Sequence, residues 1–130
     1  YLVKEATLKN KIDLFEPHFR RNYIHISDVV DAFIFAINNF SKLKNNIYNI
    51  GLSDANLTKI QLAKRIKKVV KKVNIKVIKN KKDPDKRDYF VSNKKIEKTG
   101  FKTKVSLDRG IKELYQLFKL NDFRKNKNNY

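Results

Sequence analysis

An α/β fold, with short strands alternating with about four helices, is what this 130-residue sequence predicts. Period-two and period-3.6 apolar patterns take turns along the chain: Tyr23, Ile24 and Ile26 alternate as in a strand, then Val29, Val30, Phe33, Ile34 and Ile37 recur at helical spacing. Thr58 and Gln61 match a capping box ahead of a second helical stripe. With 41% hydrophobic residues, the chain holds enough apolar material for the core of one ordinary domain.

The elements follow in order. Leu2, Val3, Ala6 and Leu8 suit the end of a helix, while Ile12, Leu14 and Phe15 make a short strand and Pro17 with residues 20–22 a polar connection. The strand over 23–26 runs into a helix over 28–40, with Ser27 or Asp28 in the N-cap position. Residues 47–50 alternate and stop at Gly51, which reads as a strand leaving into a loop over 52–56. The helix opened by Thr58 carries Ile60, Leu62, Ala63, Ile66, Val69 and Val70 on one face as far as about Lys72, and 75–78 form another strand. A charged loop over 80–88 contains Pro84. Ser92 or Asn93 then caps a short helix over 94–98 closed by Gly100. Ser106 starts the last helix, whose stripe is Leu107, Ile111, Leu114, Leu117 and Phe118. Nothing splits 1–120 into two units, and residues 121–130, basic and without a stripe, are expected to be a disordered tail.

Cysteine is absent, which excludes disulfides and thiolate metal sites, and His18 and His25 cannot build a zinc site without carboxylate help. No apolar run approaches the ~20 residues of a membrane helix, and Tyr1-Leu2-Val3-Lys4 lacks the apolar core of a leader. The expectation is a cytoplasmic protein without a membrane partner. A formal charge of +18 invites a polyanion partner. The excess, however, is 25 lysines against 6 arginines, spread along the chain with 15 asparagines, a composition that AT-rich codons produce unaided. Lys64, Arg65, Lys67, Lys68, Lys71 and Lys72 occupy the arc opposite the apolar stripe of their helix, as a solvated face does. A nucleic-acid surface would interleave arginines with aromatics, so a small basic nucleic-acid-binding protein is the rival reading rather than the leading one.

Arg21-Asn22-Tyr23-Ile24-His25-Ile26-Ser27-Asp28-Val29 is the most informative stretch. It resembles the Arg-Asp-Tyr/Phe-Ile-His-Val-x-Asp-Val signature in the C-terminal half of NAD-dependent epimerase/dehydratases, extended short-chain dehydrogenase/reductases that act on nucleotide sugars. Four further segments resemble that family in the same order: Tyr48-Asn49-Ile50-Gly51 with Asn56-Leu57-Thr58, then Asp85-Lys86-Arg87-Asp88-Tyr89 with Ser92-Asn93-Lys94-Lys95-Ile96, Thr99-Gly100-Phe101-Lys102, and Ser106-Leu107-Asp108-Arg109-Gly110-Ile111. The resemblance implies that residues 1–120 are the C-terminal, substrate-binding portion of an extended Rossmann-type enzyme, without its N-terminal dinucleotide-binding region.

A nucleotide-diphosphate sugar presents two phosphates, which a planar guanidinium meets with paired donors. The resemblance assigns that job first to Arg21 and then to Arg87 from the opposite side, with Lys86 able to share it and Asp85 or Asp88 placed to accept a ribose hydroxyl. Tyr23 either touches the ligand or packs under Arg21. His25 is expected to be a hydrogen-bonded scaffold residue, and Asp28 a helix cap. The family's catalytic tyrosine and lysine stand four apart on a helix. Tyr1 and Lys4 stand three apart, and the three glycines are not grouped into a dinucleotide loop. The chain is therefore expected to be part of an enzyme but inactive alone. NAD or NADP would be bound by the full-length enzyme and not by this chain alone, and the full-length enzyme is expected to be a homodimer. Apolar surface should be exposed where the first strands would complete the sheet of another domain.

Overall fold

The computed structural model describes residues 1–79 and 87–120. Helix α1 (Leu2–Lys9) leaves through Asn10, whose left-handed φ of 52° suits asparagine, directly into strand β1 (Lys11–Leu14). β1 pairs in parallel with the last strand, β4 (Asn74–Val77), Ile12 opposite Ile75. A parallel pair requires a long crossover. Here it contains β2 (Arg20–Asn22), α2 (Ile26–Asn38), α3 (Phe40–Leu43), β3 (Asn56–Thr58) and α4 (Lys59–Val69). β2 and β3 form a separate antiparallel ribbon, with Arg21 opposite Leu57. The short α5 (Lys94–Glu97) and α6 (Leu107–Leu120) bring the helical segments among the described residues to six.

The main core lies where α1, β1, α4 and α6 meet, with Ala6, Ile12, Ala63 and Ile66 fully enclosed and Leu62 and Ile111 beside them. A smaller cluster joins Ala32 of α2 to Ile96 and Phe101, and the Phe35 and Phe101 rings sit 5.5 Å apart. The capping box is formed as read: the Gln61 amide donates to Thr58 Oγ1 at 3.3 Å and the Thr58 amide to Gln61 Oε1 at 2.8 Å. α4 ends at Val69, short of Lys72. Gly100 takes the positive φ of 105° expected after the short helix, and Ser106 Oγ accepts the Arg109 amide at 3.3 Å at the start of α6.

Three local expectations are corrected. The strand lies earlier than 23–26, over the residues read as a polar connection, because Arg20 to Asn22 find their ladder partner in β3. Tyr23 only extends it, donating to the Ala55 carbonyl and accepting from the Leu52 amide, each at 3.2 Å. His25 rather than Ser27 or Asp28 is the N-cap of α2, its Nδ1 accepting the Ser27 amide at 3.2 Å. Asp28 is instead 1% exposed and accepts the amides of Lys104 at 2.8 Å and Val105 at 3.1 Å. That turns α2 so that Asp28 and Ala32 face inward while Ile26, Phe33 and Ile37 are 70%, 66% and 73% exposed. Residues 47–50 are not a strand, since none of the described strands lies beside them. The expected tail over 121–130 and most of the charged loop, including Pro84, lie outside the described residues. Among the described residues no helix is long and apolar enough to cross a membrane.

Candidate functional site

Arg21 sits in the middle strand position of β2, half-buried at the wall of a cavity of about 630 Å³. Apolar side chains of β1, α4 and α6 form most of that cavity, among them Leu14, Leu62, Ile66 and Ile111, and Tyr23, His25 and Lys59 join Arg21 on its lining. The Arg21 guanidinium is fixed in place: Nη1 donates to the Arg20 carbonyl at 2.8 Å and to the Arg87 carbonyl. Its central carbon lies 5.2 Å from the centre of the Tyr89 ring. Arg21 and the segment beginning at Arg87 are therefore brought together.

Tyr23 shares this neighbourhood. Burial pushes its hydroxyl above the ordinary phenol range, the Arg21 cation opposes that shift and Tyr89 adds to it. His25 is a scaffold residue in geometry: Nδ1 meets Ser27 Oγ at 2.7 Å and Nε2 meets Glu113 Oε2 of α6 at 2.9 Å. Lys59 also lines the cavity, donating to the Phe15 carbonyl at 2.9 Å. Asp85 and Lys86 lie outside the described residues.

Arg20, Asp88, Asn56 and Tyr89 acquire roles that the sequence did not signal. The Asp88 carboxylate takes Arg20 Nε and Nη2, each at 3.1 Å, and also the Arg20 amide at 2.7 Å. This holds the Asp88 carboxyl below the usual range and raises the Arg20 guanidinium. The weighed alternative, Asp88 as a ribose acceptor, thus meets a carboxylate already engaged by Arg20. Asn56 mimics a strand backbone, with Nδ2 donating to the Val91 carbonyl at 3.0 Å and Oδ1 accepting the Val91 amide at 2.9 Å. Only a basic run, an asparagine and an aromatic were visible in the sequence. Their partners are 35 to 68 positions away, which no local pattern encodes.

Among the described residues no group of three or more His, Asp or Glu side chains could hold a metal ion. The glycines are dispersed: Gly51 against Asn22, Gly100 in the turn after α5 and Gly110 inside α6. A glycine-rich loop leading to a helix N-terminus, which a dinucleotide pyrophosphate requires, does not fit the described residues.

The model of the NAD dependent epimerase/dehydratase family matches residues 2–51, from α1 through α2 and past the Arg21 segment. A dTDP-D-glucose 4,6-dehydratase from Mus musculus is 30% identical over 110 residues, covering 78% of this chain and 30% of that protein. Among solved structures, a GDP-mannoheptose C4 reductase from Campylobacter jejuni with NADP bound matches with a TM-score of 0.68 and 28% identity, over 85% of this chain and 33% of the other. A UDP-glucose 4-epimerase from Thermotoga maritima, solved with UDP-glucose, matches with a TM-score of 0.70 and 26% identity, over 91% of this chain and 38% of the other.

The chain thus resembles the NAD-dependent epimerase/dehydratase family over residues 2–51, and is similar over most of its length to nucleotide-sugar dehydratases, epimerases and reductases. The chain spans about a third of the length of the relatives it matches. The α/β fold follows the Rossmann-type architecture of these neighbours over that part. Arg21, Tyr23 and His25 fall inside the stretch recognised by the epimerase/dehydratase model, whereas Asn56 and the 87–93 segment lie beyond it.

Proposed function

We propose that residues 1–120 are the substrate-binding portion of an epimerase/dehydratase-family enzyme and hold the diphosphate and sugar of a nucleotide-diphosphate sugar. The observation that carries this reading is the placement of Arg21: a half-buried, oriented guanidinium at a largely apolar cavity, beside the Arg87 segment. A fixed guanidinium binds an anion with less loss of side-chain freedom than a swinging one, and its planar donors match a phosphate. Arg87, and with it Lys86, supplies further positive charge from the neighbouring segment. Asp85 accepts a ribose hydroxyl, and Tyr23 packs against Arg21 and lines the ligand's path.

Relatives carry names of dehydratases, epimerases and reductases of dTDP, UDP and GDP sugars, which supports the substrate class in this reading. The full-length enzyme would bind NAD or NADP, act in the cytoplasm and pair into a homodimer. Its hydride chemistry would reside outside the residues described here. This chain alone contributes binding, without turnover.

Calorimetric titration of the chain with UDP-glucose, GDP-mannose and dTDP-glucose tests the proposal. Saturable binding of at least one, lost on Arg21→Ala with the fold intact by circular dichroism, is the expected result. Unchanged affinity in Arg21→Ala would overturn it.

A further inference from the structure

The segment bearing Arg87 is pinned to the β2–β3 ribbon at two points that bracket Arg21. On one side Asp88 grips both the side chain and the amide of Arg20, at 2.7 to 3.1 Å. On the other, Asn56, opposite Asn22 in the ribbon, takes both backbone groups of Val91. Between these anchors lies Tyr89, whose ring stands against the Arg21 guanidinium, and the Arg87 carbonyl accepts from the same guanidinium. The segment thus spans Arg20 to Asn56 with Arg21 in between.

We infer that Asp88 and Asn56 are positioning residues of the diphosphate site: they set the orientation of Arg21 by holding Tyr89 and the Arg87 carbonyl against it. The inference rests on the diphosphate reading above and deepens it. The Arg20–Asp88 pair is exposed on both sides, and exposed ion pairs contribute little to global stability. Its consequence is therefore local: without it the chain stays folded and Arg21 loses two of the groups that fix its plane. A guanidinium free to sample several rotamers binds phosphate more weakly, because binding must then order it.

The test is calorimetry of the full chain with uridine diphosphate and guanosine diphosphate, accompanied by thermal melts. Asp88→Asn and Asn56→Ala are each expected to weaken binding about tenfold, with the Asp88→Asn melting temperature unchanged. Exchanging the partners, Arg20→Asp with Asp88→Arg, should restore only part of the affinity, because the side-chain pair returns while the amide of residue 20 stays without its carboxylate acceptor. In an Arg21→Lys background, where no planar fork remains to be oriented, Asp88→Asn should have little further effect. Full affinity in both single variants would overturn the inference, as would an equal loss in the Arg21→Lys background. If the unsubstituted chain binds neither diphosphate, the diphosphate reading itself fails; binding with unaltered variants sinks the two anchors alone.

Discussion

Helices α4 and α2 are both amphipathic, yet they turn their apolar faces in opposite directions. α4 lays Leu62, Ala63 and Ile66 into the main core and presents Lys64, Lys67 and Lys68 to water. α2 puts Asp28 and Ala32 inside and leaves Ile26, Val30, Phe33, Ile34 and Ile37 exposed. What holds them differs accordingly. α4 is held by burial, about 1.5–3 kcal/mol for each large apolar side chain removed from water. α2 is held chiefly by the buried Asp28 on two amides and by the contact of Ala32 and Phe35 with Ile96 and Phe101, while the solvent-accessible pairs of His25 with Glu113 and Asp31 with Lys104 add little. Hydrophobic periodicity marks which side of a helix is apolar. Whether that side faces the core depends on what else the molecule supplies to cover it.

Substitutions can break this contrast, beginning with the largest effect. Ile66→Ala, at a fully enclosed position, should lower the unfolding free energy by about 2–5 kcal/mol in urea titrations; a loss well under 1 kcal/mol would mean that α4 is not seated as described. Asp28→Ala should cost about 1–3 kcal/mol by leaving the Lys104 and Val105 amides without their acceptor. Thr58→Ala, which removes one half of the capping box on α4, should cost about 1 kcal/mol. Phe33→Ser and Ile37→Ser, on the outward stripe of α2, should each change stability by no more than about 0.5 kcal/mol while reducing self-association in sedimentation experiments. A loss from Phe33→Ser as large as that from Ile66→Ala would show the stripe to be covered.

Acid sharpens the comparison further. Glu113 is held below the usual carboxylate range, first by its hydrogen bond from Arg109 and then by the His25 charge. A depressed carboxylate contributes stability that is fully present above its unfolded value and is lost as pH falls through the folded one. Amide exchange followed down through the carboxylate range should therefore show protection weakening modestly, as suits a solvent-screened pair, at the N-terminal turn of α2 and the facing turn of α6 before it weakens in α4. Simultaneous loss in α2 and α4 would contradict separate modes of attachment.

Much of the fold was legible where the signal is local. The Thr58–Gln61 box, Gly100 and Ser106 marked their helices because each acts on residues within a turn of itself. The Arg21 signature lies where a strand leads into a helix, as read, although that strand and the helix cap were displaced by two to four residues. The illegible parts all depend on distant partners. β2 exists because β3 lies 36 residues away in register, and Asp28 is buried because the Lys104 and Val105 amides reach it. Residues 47–50 alternate like a strand without acquiring a ladder, since alternation states a preference that only a neighbouring strand can realise. Gly51 shows the same limit at one atom: a Cβ there would collide with Asn22 Oδ1, a close approach that its place before a loop did not reveal. At the site, Arg21 was found by resemblance, while Asn56 and the Arg20–Asp88 pair needed three-dimensional proximity.

The central claim is that diphosphate recognition resides at Arg21 and not on the lysine face of α4, and amide chemical-shift mapping with uridine diphosphate tests it most directly. The account predicts saturable shifts concentrated at 20–25 and 87–91, abolished by Arg21→Ala. Shifts concentrated instead on 64–72, fading as salt is raised and indifferent to Arg21→Ala, would contradict it.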